Sequence, residues 1–286
     1  MKIGGVYFFT DRGPEPVQFA QAMESEGFES LWFPEHTHSP ASRETDYPEA
    51  YGGGELPWFY LRTWDQMVTL AYIAAATTTL RIGSGAMLLA QRDPIAMAKQ
   101  IATLDQFSGG RYELALGLGW NREEAEAHGV NWKKRFSTVR DKAQALRALW
   151  RDEVASYSGE MFELKPSYSW PKPAQEGGPA IWLGGAGPTT FRHVAQWADG
   201  LYIVPPPNDP TLEATLPEFW RIVEEEGRDP KTVRVAVASA PPELSVLEKY
   251  REQGVERASL WIDPTDPAEA YPNMQAAAKV MHEFNA

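Results

Sequence analysis

Eight short apolar runs alternate with eight longer amphipathic stretches along the 286-residue chain, and this alternation constrains the fold more than any other feature. The runs are Lys2 to Phe9, Ser30 to Pro34, Leu80 to Leu88, Arg111 to Leu116, Ala180 to Leu183, Gly200 to Val204, Val233 to Ser239 and Arg257 to Ile262. Between and after them lie Pro16 to Glu26, Trp64 to Ala76, Pro94 to Phe107, Phe136 to Trp150, Thr189 to Ala198, Leu212 to Glu226, Glu243 to Gln253 and Ala268 to Phe284, whose apolar residues recur at helical spacing. A strand followed by a helix, repeated, is the pattern of βα units. Eight such units most simply close into a (β/α)8 TIM barrel, because right-handed crossovers set neighbours side by side and closure leaves no free sheet edge. A doubly wound sheet is the competing architecture. It calls for a strand-order reversal and usually fewer units, and no linker marks a domain boundary, so one domain over 1–286 is expected.

Two connections exceed the usual length of about 4–6 residues. Ser39 to Thr63, after the second strand, carries Tyr47, Tyr51, three consecutive glycines from Gly52, Trp58, Phe59 and Tyr60, an aromatic content that suits a lid or binding element. Asp152 to Gly178, before the fifth strand, holds Tyr157, Phe162, Tyr168, Trp170 and Pro171-Lys172-Pro173, and reads as a packing excursion with a hairpin.

Composition narrows the function classes. With 27 basic and 39 acidic residues the formal charge is −12, which argues against nucleic acid or an anionic membrane surface as principal partner. The absence of cysteine removes disulfides, thiolate nucleophiles and Cys-ligated zinc. The apolar stretch after Lys2 is cut off at Thr10 before export-signal length, and no window approaches a membrane span, so the cytoplasm is the expected compartment.

In a barrel of this kind the site is built where the strands end. The second strand empties into Glu35-His36-Thr37-His38, and period-two alternation makes His36 and His38 project together. The third contains Gly83-Ser84-Gly85-Ala86, which marks a bulge or a close approach of ligand or backbone. The fourth ends in Gly117-Leu118-Gly119-Trp120, with Asn121 and Glu124 at capping-box spacing. The fifth ends in Gly184-Gly185-Ala186-Gly187-Pro188, again feeding a helix. Glycine-rich strand-to-helix turns expose backbone N–H groups to an anion, and two in succession point to a phosphate-bearing ligand. Neither matches a P-loop or the dinucleotide fingerprint. His128, His193 and His282 fall in or beside helices and read as surface or structural. His36 and His38 with Asp263 make an incomplete ligand set, so no metal is expected.

The motifs Trp32-Phe33-Pro34-Glu35-His36-Thr37-His38, Leu80-Arg81-Ile82-Gly83-Ser84-Gly85, Asp93-Pro94, Ala98-Lys99-Gln100, Ala102-Thr103-Leu104-Asp105, Ser108-Gly109-Gly110-Arg111 and Gly117-Leu118-Gly119-Trp120, in that order, resemble those of the luciferase-like oxidoreductases. The closest resemblance is to the branch that uses the deazaflavin coenzyme F420, and it continues through Arg135-Phe136, Leu149-Trp150, Pro171-Lys172-Pro173, Gly184-Gly185 and Asp199-Gly200. It implies a deazaflavin or flavin ring in the barrel mouth, pressed on one face by a bulge at Gly85-Ala86 that often carries a non-prolyl cis peptide, with Ser84 beside it also at the cofactor. His36, helped by Glu35, would meet the ring edge or the substrate. Gly117 and Gly119 would flank the cofactor, and Gly184, Gly185, Ala186 and Gly187 would receive the phosphate of its tail. The family also implies a homodimer acting on a small molecule.

One departure matters. The sugar-phosphate dehydrogenase branch has an acid after the strand-four glycines, where this chain has Trp120, so glucose-6-phosphate is not the expected substrate. Trp120 with Trp58 and Tyr60 suggests an apolar or aromatic one. The expected activity is F420-dependent hydride transfer. The alternatives are an FMN-dependent monooxygenase of the same fold, a metal-dependent barrel hydrolase and a non-catalytic deazaflavin-binding protein.

Overall fold

The computed structural model describes residues 1–286. The strands are β1 (Lys2–Val6), β2 (Ser30–Phe33), β3 (Arg81–Met87), β4 (Tyr112–Leu116), β5 (Ala155–Ser158), β6 (Glu163–Ser167), β7 (Ile181–Gly184), β8 (Gly200–Ile203), β9 (Arg234–Ala240) and β10 (Arg257–Trp261). All but β5 and β6 pair in parallel in chain order, and β10 returns to β1 with Arg257 opposite Lys2, closing an eight-stranded barrel. β5 and β6 form the antiparallel hairpin of the second insertion. The first insertion, after β2, is built of short turns at Glu49–Tyr51 and Trp58–Leu61.

The helices are α1 (Pro16–Glu26), α2 (Gln66–Ala74), α3 (Pro94–Phe107), α4 (Arg122–Ala127), α5 (Arg135–Arg151), α6 (Pro188–Trp197), α7 (Thr215–Glu225), α8 (Leu244–Glu252) and α9 (Ala270–Asn285). Local chemistry sets their ends. Asp65 and Asp93 accept the N–H groups of Val68 and Ala96, which opens α2 and α3. The cap at Asp65 leaves Trp64 outside the helix expected to include it, its N–H bonded instead to the Phe9 carbonyl. The short α4 is an additional element between β4 and α5. No helix is long and apolar enough to cross a membrane.

The core has two shells. The larger packs barrel against helices, with Leu31, Ile82, Leu114 and Leu183 among its buried members. The smaller fills the barrel interior around Trp32, Trp182 and Tyr202. These rings explain the strand glycines: a β-carbon at Gly83 would stand 2.4 Å from the Trp32 indole, and one at Gly200 2.5 Å from that of Trp182. At the strands' N-terminal end, Arg257 is 1% exposed and reaches Glu29 at 2.8 Å and Glu113 at 3.1 Å, while Arg81 bonds Glu113 at 2.6 Å. Burial alone would raise the Glu113 carboxyl, but the two guanidinium groups hold it below its ordinary value. Paired charges and indoles thus close the bottom, and the barrel opens at the strands' C-terminal ends.

Candidate active site

That mouth contains a cavity of about 830 Å³. Its floor is Gly85–Ala86, joined by a cis peptide bond. The register of β3 against β4 slips between Gly85 and Met87, so the strand carries the anticipated bulge. Gly85 is required by its neighbour, since a β-carbon there would lie 2.6 Å from the Tyr202 hydroxyl.

His36 forms one wall. Its Nδ1 lies 2.8 Å from Oε2 of Glu124, whose other oxygen accepts the backbone N–H of Thr37 at 3.1 Å. Glu124 is 1% exposed. The imidazole faces the rings of Tyr60 at 5.0 Å and Trp120 at 5.7 Å. Tyr47 and Tyr51 from the first insertion line the same side. The Tyr47 hydroxyl donates to the Tyr51 carbonyl at 2.8 Å and stands 3.1 Å from the Tyr60 hydroxyl, from which it can accept. Burial raises the pKa of Tyr47, and burial with the neighbouring phenols raises that of Tyr60 well above the ordinary value. Both therefore stay protonated at neutral pH.

The opposite end suits an anion. Gly184, Gly185 and Ala186 line the cavity at the start of α6, and no side chain caps that helix. Gly185, at φ +133°, uses its own N–H on the Tyr202 carbonyl at 3.2 Å, whereas the amides of Ala186 and Gly187 have no partner in the protein. Arg135 lines the same cavity next to Phe136, whose ring stacks on that of His193 in α6 at 5.0 Å; its guanidinium is 4.1 Å from the Trp132 ring centroid and its buried Nε has no hydrogen-bond partner. Partial burial draws its pKa down, but a guanidinium remains a cation at any physiological pH. A free helix start and a partly buried cation thus line one cavity.

Residues 10–283 match the family described as luciferase-like monooxygenase. The chain belongs to that family. This luciferase-like protein is 36% identical over 283 residues to an uncharacterized protein of Mycobacterium tuberculosis, covering 97% of this chain and 98% of the other. It is 25% identical over 205 residues to an F420-dependent glucose-6-phosphate dehydrogenase of Amycolatopsis mediterranei, covering 70% of this chain and 56% of that enzyme. Among solved structures, the fold is shared with the monooxygenase RslO1 of Streptomyces bottropensis, at TM-score 0.77 and 17% identity with full coverage of both chains. It is also shared with an F420-dependent secondary alcohol dehydrogenase in complex with an F420–acetone adduct, at TM-score 0.76 and 17% identity over 99% of this chain and 98% of that one.

In this luciferase-like protein the residues singled out from sequence divide. His36, Gly85, Ala86, Gly117, Gly119, Gly184, Gly185, Ala186, Tyr60 and Trp120 line one cavity, as does the backbone run through Glu35. Gly187 stands just behind it as the residue before α6. Ser84 turns away, its hydroxyl 2.6 Å from that of Tyr112 between barrel and helices. Trp58 is outside the cavity, donating its indole N–H to the Thr265 carbonyl at 2.9 Å. The expected Glu35–His36 contact is replaced by Glu124–His36, because the Glu35 carboxylate accepts from Leu88 N at 2.6 Å and Arg92 Nε at 2.5 Å. His36 and His38 do not project together. β2 ends at Phe33, so the alternation lapses, and His38 is exposed beside Thr37 and His128. Asp263 closes a turn by accepting from Thr265, and no three His, Asp or Glu side chains gather to hold a metal. In the sequence Glu124 carries only a capping signal and Arg135 only a family motif, so neither is marked there as belonging to the cavity side.

Proposed function

We propose that this protein is an F420-dependent oxidoreductase that transfers a hydride between the deazaflavin and a small organic, apolar or aromatic substrate. The observation that carries this reading is the union, in one cavity, of a glycine floor, an uncapped helix start beside a buried unpartnered guanidine nitrogen, and His36 on the far wall. The residues fit such a cofactor. Gly85 and Ala86 leave a side-chain-poor surface for a flat ring, and Ala186, Gly187 and Arg135 would hold a phosphate through free amides and a cation. When bound, the deazaflavin would supply or accept the hydride. The protein's own part is orientation of the substrate between the floor and the Tyr47, Tyr60 and Trp120 rings, exclusion of water, and a proton held or released at His36. The F420-dependent relative at 25% identity supports the cofactor, while Trp120 in place of an acid speaks against sharing that relative's sugar phosphate.

An FMN-dependent monooxygenase is the second reading, which the family's description as luciferase-like monooxygenase also fits. Titration of the purified protein with oxidised F420 and with FMN, followed by absorbance and fluorescence, separates the two. Saturable binding of F420 alone, with hydride exchange on a substrate, is the expected result; preference for FMN with oxygen consumption would transfer the assignment. The same reading takes the protein to act as a cytoplasmic homodimer on a small molecule, without nucleic acid or membrane, and sedimentation measures the oligomer directly.

A further inference from the structure

Glu124 occupies the third position of a short helix opened by Asn121, whose side chain accepts the Glu124 N–H at 3.2 Å. In a reciprocal capping box its carboxylate would turn back to the Asn121 N–H. Instead both oxygens cross to the segment after β2, one to His36 Nδ1 at 2.8 Å and the other to Thr37 N at 3.1 Å. Such a carboxylate, 1% exposed, is held in the interior only by the donors that meet it.

We propose that Glu124 is a positioning residue that fixes His36 in the Nδ1–H tautomer and so aims a free Nε2 lone pair into the cavity. An ionised carboxylate only accepts hydrogen bonds, so at 2.8 Å the proton of the contact belongs to Nδ1. A neutral imidazole carries one N–H, which leaves Nε2 as the acceptor; that atom has no partner in the protein, and His36 lines the cavity. The second bond, from Thr37 N, fixes which oxygen is available. With Thr37 N–H holding one oxygen, the carboxylate cannot rotate away from the ring, and the imidazole plane is set by the β2 end and the α4 start together. A substrate group meeting Nε2 can give up a proton there, and the imidazolium then formed is stabilised by the carboxylate behind it.

The arrangement makes an asymmetric prediction for Glu124→Gln. The Thr37 N–H still requires an oxygen acceptor, so the carboxamide presents its oxygen to Thr37 and its NH2 to His36. Nδ1 must then accept, and the ring proton moves to Nε2, where it blocks the cavity-facing lone pair. Glu124→Asp retains two acceptor oxygens on a shorter stem and is expected to keep the native tautomer.

The inference rests on the reading of His36 as the proton relay, and its test separates the two. Nitrogen-15 NMR of histidine-labelled protein, with His36→Gln to assign the signal, reads the tautomer without cofactor, substrate or turnover. The expected result is an Nδ1–H ring in the native protein and in Glu124→Asp, and an Nε2–H ring in Glu124→Gln. In the F420 assay, Glu124→Gln then loses on the order of 100-fold in turnover at unchanged F420 affinity, the scale of a displaced acid–base group. An unaltered tautomer in Glu124→Gln overturns the proposal. A switched tautomer with full turnover would keep the positioning and remove His36 from the chemistry.

Discussion

The carboxylate of Glu35 closes on the backbone N–H of Leu88 at 2.6 Å, tying the end of β2 to the turn that follows the cavity floor. Its second oxygen holds Arg92 Nε at 2.5 Å, and Lys142 reinforces the same turn by donating to the carbonyls of Ala90 at 2.8 Å and Arg92 at 2.6 Å. Glu35 therefore holds Gly85 and Ala86 in place from behind. Glu35→Ala would leave the Leu88 amide unpaired and the half-buried Arg92 guanidinium with only Asp65, 3.5 Å away, a loss of about 1–3 kcal/mol. Urea unfolding should show the midpoint fall accordingly; an unchanged midpoint would mean that the clasp is dispensable.

His36 bears the relay in the proposed reaction. Removing an acid–base group lowers turnover by about 10²–10⁴-fold when its proton moves in the transition state. His36→Ala should do this while F420 binding, read by fluorescence titration, stays at the native value. Turnover that survives the substitution would assign the proton to solvent.

Gly185 is at φ +133°, and a β-carbon there would lie 3.0 Å from Thr190 Oγ1. Gly185→Ala should distort the turn that presents the Ala186 and Gly187 amides, weakening F420 by about tenfold, or 1.4 kcal/mol. Arg135→Ala should weaken it further as salt is lowered, since the lost attraction is strongest when unscreened. Equal affinities in all three proteins would move the tail elsewhere.

These sites differ in how far sequence alone displays them. The barrel was legible because βα alternation is local and repeats, and the glycine turns after β4 and β7 announce themselves within five residues. The Glu124–His36 contact spans 88 positions and hides behind a capping pattern that explains Glu124 without it. His38 departs from the side of His36 because strand alternation does not extend past Pro34: the pairing with β3 ends at Phe33. Trp58 and Tyr47 share one aromatic loop, and only the fold decides that Tyr47 turns inward while the Trp58 indole is bonded to the β10 loop.

Glu24 offers a stability test remote from the cavity. One oxygen accepts from Thr78 N at 2.8 Å, Thr79 N at 2.6 Å, Leu80 N at 2.8 Å and the Thr79 hydroxyl at 2.9 Å. Burial would raise this carboxyl, but those bonds lower it from 4.5 to about 2. A value depressed in the folded state adds stability above the unfolded value near 4.5, and that stability is lost as pH falls toward 2. Glu24→Gln keeps the acceptor and loses the charge, so it should cost about 1 kcal/mol at neutral pH, discounted for a partly exposed site. Unfolding curves of the two proteins should converge in acid; a gap independent of pH would point to packing instead.

The interior of the barrel makes the sharpest demand on sequence. Trp32 occupies the space a side chain at Gly83 would need, with three indole atoms within 2.9 Å of the missing β-carbon. Gly83→Ala should therefore overpack and cost about 1–3 kcal/mol. Trp32→Leu empties the same volume and should cost about 3–5 kcal/mol by leaving a cavity. Since each change relieves the other, the double variant should be less destabilised than the sum of the two, with a coupling above about 0.5 kcal/mol in a double-mutant cycle. Strict additivity would mean that the glycine serves the bulge at Gly85–Ala86 and that the indole could move aside at little cost.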